Sequence, residues 1–383
     1  MGGTSKSSAE IPLKTFDASL TDLQARGRKR FLSLPAGIDL SSNDYLGLST
    51  HPALRAEALR ALEDGIEIGA AGSRLLRGHR PAHDELEAFA ASYFNVPKTL
   101  FFPNGFLANY AVITTLIGRN DLAIFDALCH ASMRDGLFAS RCDTLKVKHN
   151  DLCGFEAALK KPRKSGSHTF LMVESIYSMD GDQAPLSELL DLADRYDAIL
   201  IVDEAHGTGV FGATGRGLAE GFSHDRLISI HTCGKALGVA GALVCAKASV
   251  IEYLITAARP FIYSTAPMPL QAVLVKRALE LVREEPERRH HLHHLMAVVR
   301  KALPTLPVTS PIIPIVIGED QATMAIAEGL QARGFDVRGI RPPTVPEGTA
   351  RLRISLNAGL QEAQLVDFCA TLSEILQDKG HSL

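Results

Sequence analysis

Lys235 is the residue of this chain best placed for covalent chemistry. It lies in Ile-His-Thr-Cys-Gly-Lys-Ala-Leu-Gly at positions 230–238, past an apolar run at 227–230 where a strand is expected to end. A primary amine in such a loop can bond an aldehyde. Upstream, at 198–209, Ala-Ile-Leu-Ile-Val-Asp-Glu-Ala-His-Gly-Thr-Gly carries Asp203 and His206 at the end of a second apolar run. Pyridoxal phosphate needs these three groups. A carboxylate keeps its pyridine nitrogen protonated, an imidazole reaches its ring oxygen, and an amine holds its aldehyde. Asp203 taken alone could equally cap the turn after its strand; His206, the Gly-Thr-Gly loop and Lys235 together favour the cofactor. Gly234 and Gly238 are expected to let the backbone approach a bulky ligand without a Cβ clash.

Further groups fall after other apolar runs. Asn104, Gly105 and Phe106 stand where a strand meets an amphipathic helix, and free amides at a helix N-terminus bind phosphate. Thr232 offers a hydroxyl to the same anion. His130 follows the run at 122–125 and could stack on a flat ring or be an ordinary loop histidine. Ser178 follows the run at 169–173 and could bond ring substituents, while Asp180 and Asp182 read as turn formers. Arg351 and Arg353 share one face of an expected strand by period two. Either could clamp a carboxylate through a bidentate pair or serve a surface salt bridge.

The elements that must position these groups read as an α/β domain. Apolar runs at 99–102, 122–125, 169–173, 199–202, 227–230 and 242–245 alternate with helical patterns such as 186–196. Short runs apolar on both faces fit a largely parallel sheet covered by helices. Ligands of such sheets bind beyond the carboxyl ends of the strands, where Asp203, His206 and Lys235 fall. Near residue 280 the pattern changes. Pro286 ends one helical pattern and opens a charged helix to Arg300. Strands at 312–317 and 351–356 and helices at 322–333 and 363–377 then suggest a smaller α+β domain. The expected division is an N-terminal arm at 1–40, a large α/β domain at 41–280 and a small domain at 281–383.

His290, His291, His293 and His294 lie on the charged helix. Although 290 and 294 have metal-ligand spacing, the surrounding charges read as a solvated face, and no metal is expected. The basic arm (Arg26, Arg28, Lys29, Arg30) reads as a solvated helix face or as a segment folding over a site.

Bulk properties exclude other classes. The 383 residues carry a net charge of -3, which gives no electrostatic argument for nucleic acid or an anionic membrane as partner. Six cysteines without a C-x-x-C pair suggest reduced thiols in the cytoplasm, and no run approaches a membrane span. A nicotinamide dehydrogenase would need G-x-G-x-x-G after an early strand, and the N-terminal half has none.

Taken together the motifs resemble the α-oxoamine synthases, pyridoxal-phosphate enzymes of fold type I, from about residue 41 to 355. The strings are Ser-Ser-Asn-Asp-Tyr-Leu-Gly-Leu at 41–48, Gly-Ser-Arg-Leu-Leu-Arg-Gly-His at 72–79, Tyr-Ser-Met-Asp-Gly-Asp at 177–182 and the two segments around Asp203 and Lys235. Ile-Tyr-Ser-Thr at 262–265 and Arg-Pro-Pro-Thr-Val-Pro at 341–346 complete them. The resemblance implies that Lys235 holds the cofactor and moves the substrate α-proton, that Asp203 pairs with the pyridinium, and that His206 bonds the ring oxygen. It implies further that His130 stacks on the ring beside Ser178, and that Gly105, Phe106 and Thr232 surround the phosphate. Ser264 and Thr265 would reach that phosphate from the second subunit of a homodimer. Asn43 and Arg353 would hold the amino-acid carboxylate, and Arg30 and Thr344 would line the acyl channel. Within the family, the strings at 72–79 and 262–265 favour the branch that joins L-alanine to a pimeloyl thioester, on coenzyme A or acyl carrier protein, for biotin synthesis. Members using another amino acid or acyl donor are the alternative. Gly-Ala-Ala-Gly-Ser-Arg at 69–74 departs from the family's Gly-Ser-Gly-Gly-Ser-Arg, which bears on substrate preference and not on cofactor chemistry.

Overall fold

A computed structural model describes residues 14–223 and 225–381. The chain begins with α1 (Lys14–Ala25), β1 (Ile38–Asp39), α2 (Pro52–Glu63), α3 (Pro81–Phe94), β2 (Lys98–Phe102) and α4 (Gly105–Leu116). A βα alternation follows: β3 (Leu122–Asp126), α5 (Ala131–Ser140), β4 (Asp143–Val147), α6 (Leu152–Leu159), β5 (Thr169–Glu174), α7 (Leu186–Arg195), β6 (Ala198–Asp203) and β7 (Leu227–Thr232). Next come β8 (Ala242–Ala246), α8 (Ala248–Ala257), α9 (Arg259–Ile262), α10 (Pro269–Glu284) and α11 (Pro286–Ala302). The chain closes with β9 (Ile312–Gly318), α12 (Asp320–Ala332), β10 (Phe335–Asp336), β11 (Arg338–Ile340), β12 (Ala350–Ser355) and α13 (Glu362–Asp378).

Two compact units form. The larger comprises residues 42–313 and 355–367. Its seven-stranded sheet has the order β2-β8-β7-β6-β5-β3-β4, in which β8 runs against both neighbours and the other observed pairs are parallel. Every residue of β5 and β7 is buried, as a sheet sandwiched between helix layers requires. One core layer gathers Phe102, Val112, Met133, Ile230 and Leu254; the opposite layer gathers Phe155, Leu171, Leu189, Val202 and Leu227. The order reverses at β3, where one connection runs outward to β4 and the later strands run the other way. Such a switch point leaves a crevice at the carboxyl ends of the strands.

All six strands expected in this region are present. The edge strand β4 is an addition. Its Asp-Thr-Leu-Lys-Val has exposed residues at three of five positions, so it carries no apolar run to reveal it.

The smaller unit holds the described residues up to 41 together with 314–354 and 368–381. It contains a three-stranded sheet of order β11-β12-β9 and a short parallel pair, β1 with β10, in register Ile38↔Phe335. The division expected from sequence is therefore corrected at three places, one being that 355–367 belongs to the large unit. The segment 281–313 belongs to the large unit, because α10 packs on α2 and α3 there and α11 packs on α10. Pro286 separates two helices of one unit and does not mark a domain boundary. The 1–40 arm is not a separate piece either, since its described residues join the small unit through β1.

Candidate active site

The large unit brings to one end of its sheet most of the residues singled out from sequence. Asp203 is the last residue of β6 and is buried, 5% exposed. Its Oδ1 accepts the amide of Ala205 (2.9 Å) and its Oδ2 accepts Asn109 Nδ2 (2.7 Å). That amide also donates to Ser132 Oγ (3.0 Å), which lies 2.8 Å from His130 Nδ1. A continuous hydrogen-bonded path thus runs from the carboxylate to the imidazole. His130 caps the N-terminus of α5 and meets Phe106 edge-on at 6.4 Å between ring centres. Burial lowers its basicity, with Asp203 opposing the shift.

β7 lies beside β6 with Asp203 opposite Ile230, so the loop after β7 rises next to the carboxylate. Lys235 Nζ lies 2.7 Å from His206 Nε2, and His206 Nδ1 lies 2.6 Å from the hydroxyl of the fully buried Tyr45. Tyr45 in turn donates to Asn43 Oδ1 (3.1 Å). Asn43, Tyr45, His206 and Lys235 therefore form one chain of polar contacts. Gly238, at φ +65, packs against the backbone of Leu48 and Ser49, with which a side chain would collide. This corrects the expectation that it makes room for a ligand: the close approach is to the chain's own backbone. At Gly234 a Cβ would meet only Val239 O, at 3.4 Å.

The N-terminus of α4 supplies a second cradle. Asn104 caps it by accepting the Leu107 amide at 2.9 Å. A Cβ on Gly105 would stand 3.1 Å from Thr232 Oγ1, so a glycine keeps the space between helix start and hydroxyl open. Ser178 follows β5, and its amide donates to Glu174 Oε2 at 3.2 Å. Ser264 and Thr265 follow α9 and are half-buried and exposed respectively.

In the small unit, Arg30 Nη2 donates to Thr344 Oγ1 at 3.1 Å, joining the two positions assigned to the acyl channel. The neighbouring Arg28 forks onto Glu347 and also binds Asp320 at 2.9 Å. The arm's cations are thus partly committed to ion pairs and are not simply a solvated helix face, since α1 ends at Ala25 before them. Arg353 lies on β12, buried and opposite Arg338. On α11, His290 and His294 are exposed, whereas His291 and His293 each lie 2.9 Å from a backbone carbonyl, Leu360 O and Val210 O. No cluster of three metal-ligating side chains occurs among the described residues.

Three side chains of the candidate site escape a reading of the sequence alone. Tyr45 sits inside a quoted string yet drew no role. Asn109 is the lone amide on the buried face of an apolar helix, which is a legible signal for a buried polar contact. Glu174 ends β5 as Asp203 ends β6, and the two are partners across the strands. Burial, reinforced by the charge of Asp203, pushes the Glu174 carboxyl up to about 8.

Residues 35–372 match the aminotransferase class I and II family, and the chain belongs to it. Its fold is that of the fold type I pyridoxal-phosphate enzymes. Among curated relatives, an 8-amino-7-oxononanoate synthase of Chromobacterium violaceum is 45% identical over 338 residues, covering 86% of each chain. One of Anaeromyxobacter dehalogenans is 42% identical over 386 residues, covering 94% of this chain and 95% of the relative. Among solved structures, serine palmitoyltransferase from S. paucimobilis with a bound PLP–myriocin aldimine superposes with a TM-score of 0.90 at 26% identity, covering 97% of this chain and 100% of that one. An 8-amino-7-oxononanoate synthase from Francisella tularensis gives 0.77 at 27% identity, covering 90% and 99%.

Proposed function

We propose that the chain catalyses the 8-amino-7-oxononanoate synthase reaction of biotin biosynthesis: L-alanine condenses with a pimeloyl thioester, releasing carbon dioxide and the free thiol. The observation that carries this reading is the constellation at the strand ends, with Lys235 against His206 and Asp203 one strand away, in a chain 41–45% identical to synthases of that name over most of its length.

The residues present fit pyridoxal phosphate. A buried carboxylate whose fixed neighbours only donate to it is suited to a pyridinium N–H. Gly105, beside Thr232 at a helix N-terminus, leaves space for a phosphate. When bound, this cofactor supplies the electron sink that makes the alanine Cα–H acidic and the β-keto acid easy to decarboxylate. Lys235 would hold the cofactor's aldehyde, and its Nζ, beside His206 Nε2, would carry the proton to and from the alanine Cα. Asp203 keeps the ring nitrogen protonated, fixed in place by Asn109. His206, oriented by Tyr45, bonds the ring oxygen. His130 and Ser178 would be the contacts for the ring. Phe106, Gly105 and Thr232 would hold the phosphate, with Ser264 and Thr265 supplied by the second subunit of a homodimer. Asn43 and Arg353 take the alanine carboxylate, and Arg30 and Thr344 line the path of the pimeloyl chain. No helix among the described residues is long and apolar enough to cross a membrane, and cytoplasmic work on water-soluble substrates suits the reaction.

The serine palmitoyltransferase likeness favours a second reading, a different amino acid and a longer acyl chain. The fold is common to both, so overlap of backbones does not separate them, whereas the sequence identity favours the biotin enzymes. A panel of alanine, glycine and serine against pimeloyl and palmitoyl thioesters, on coenzyme A and on acyl carrier protein, separates the readings by thiol release. Alanine with a pimeloyl donor should turn over fastest. Preference for serine or glycine would overturn the substrate assignment and leave the cofactor in place.

A further inference from the structure

The loop after β4 carries a half-buried polar cluster, anchored on the buried Asp126, that the proposed reaction does not use. His149 lies with Nδ1 2.9 Å from Asp126 Oδ1 and Nε2 2.6 Å from Asp182 Oδ2. With an acceptor on each ring nitrogen, the imidazole donates from both and is the charged form. Asn150 reinforces both ends: its amide donates to Asp126 Oδ2 (2.8 Å) and its Nδ2 to Asp182 Oδ2 (2.8 Å). The ring of Tyr177 closes the cluster edge-on at 4.3 Å.

Each carboxylate is built into a loop that carries a candidate cofactor contact. Asp126, the last residue of β3 and fully buried, takes the Leu128 amide on Oδ1 (2.8 Å), and its carbonyl takes the Cys129 amide (3.1 Å). It thereby shapes the turn that delivers His130. Asp182 closes the loop around Ser178, since its carbonyl accepts the Tyr177 amide at 3.0 Å and the Gly181 amide returns to Tyr177 O at 2.8 Å. β3 and β5 are neighbours in the sheet, and β4 lies outside β3. The loop after β4 therefore reaches across the strand ends and ties the two turns together.

We propose that His149 is a positioning residue for cofactor binding: its imidazolium, held between Asp126 and Asp182, fixes the His130 turn and the Ser178 loop at one spacing. The inference rests on the reading that His130 and Ser178 face pyridoxal phosphate. Without the cation, two carboxylates would face each other across the gap, and the loops would spread. Charge-assisted bonds of this kind are worth more than neutral ones, so loss of both should be visible in ligand affinity.

The test uses the whole protein loaded with pyridoxal phosphate, comparing wild type with His149→Gln and Asp182→Asn. His149→Gln should weaken cofactor binding by about tenfold or more and reduce the visible circular dichroism of the bound cofactor, at a temperature where the protein is folded. Asp182→Asn, which keeps the Asp126 contact, should shift both in the same direction by less. A merely structural role would lower the melting temperature and leave the cofactor's dichroism unchanged. Wild-type affinity and dichroism in both variants would overturn the inference. If His149→Gln fails to fold, Asp182→Asn decides alone, and wild-type behaviour there is the overturning result. A wild-type protein that shows no lysine-linked cofactor band would instead sink the underlying functional reading, and this inference with it.

Discussion

Asp203 and Lys235 divide the work at the residue scale. In the proposed reaction Lys235 is the point of attachment, whereas Asp203 would act on the ring's charge from a site fixed by Asn109 and the Ala205 amide. Asp203→Asn should therefore still bind the cofactor at Lys235, seen by its visible absorbance, while turnover falls on the order of 10²–10³-fold, as for loss of one preorganised electrostatic group. Equal loss of binding and turnover would assign Asp203 a role in capture. These groups were legible because Asp203 closes one apolar run and Lys235 stands in the small-residue loop that follows another. Tyr45 and Asn109 were harder to read: both act through contacts made across long sequence separations, with His206 and Asp203.

Among the elements, the strand ends and the glycine turns set the geometry. Gly238 holds the lysine loop in a left-handed turn against the backbone of Leu48 and Ser49. Gly238→Ala should cost about 2–4 kcal/mol of stability, read by denaturant unfolding; a change within error would show that the loop relaxes freely. The loop after β4 predicts a pH dependence. Burial alone would lower the His149 imidazole, but bonds to Asp126 and Asp182 outweigh it and lift it to about 10 from 6.5. A raised folded value means the contribution is complete below about 6.5, declines above it and is gone once pH passes about 10. Melting temperature of the wild type should fall across that window more steeply than that of His149→Gln, and parallel curves would contradict the assignment. The sheet's interior strands were legible from apolar runs. β4 was not, because an edge strand with a solvated face needs no such run. The boundary at 313 was likewise hidden: a proline between helices looks alike within a domain and between domains, and only the packing of α10 on α2 and α3 decides.

The whole molecule is expected to work as a homodimer, with Ser264 and Thr265 serving the partner's phosphate. Mixed dimers test this. Lys235→Ala and a double Ser264→Ala, Thr265→Ala protein should each be weak or inactive alone, yet regain activity when unfolded together and refolded as a mixture, because one site per mixed dimer is intact. No recovery, with mixed dimers shown to form, would place those hydroxyls in their own subunit's site. Composition and charge excluded classes without naming a substrate, since the residues proposed as acyl and amino-acid contacts stand in loop segments and on β12, outside the apolar-run pattern that marks the cofactor groups in the sequence.

The central claim is that the lysine after β7 carries pyridoxal phosphate. Borohydride reduction of the loaded protein, followed by digestion and peptide mass spectrometry, tests it directly. The account predicts one reduced phosphopyridoxyl adduct, on the peptide containing Lys235, and none in Lys235→Ala. A stoichiometric adduct on any other lysine, or an unmodified Lys235 peptide from active enzyme, would contradict it.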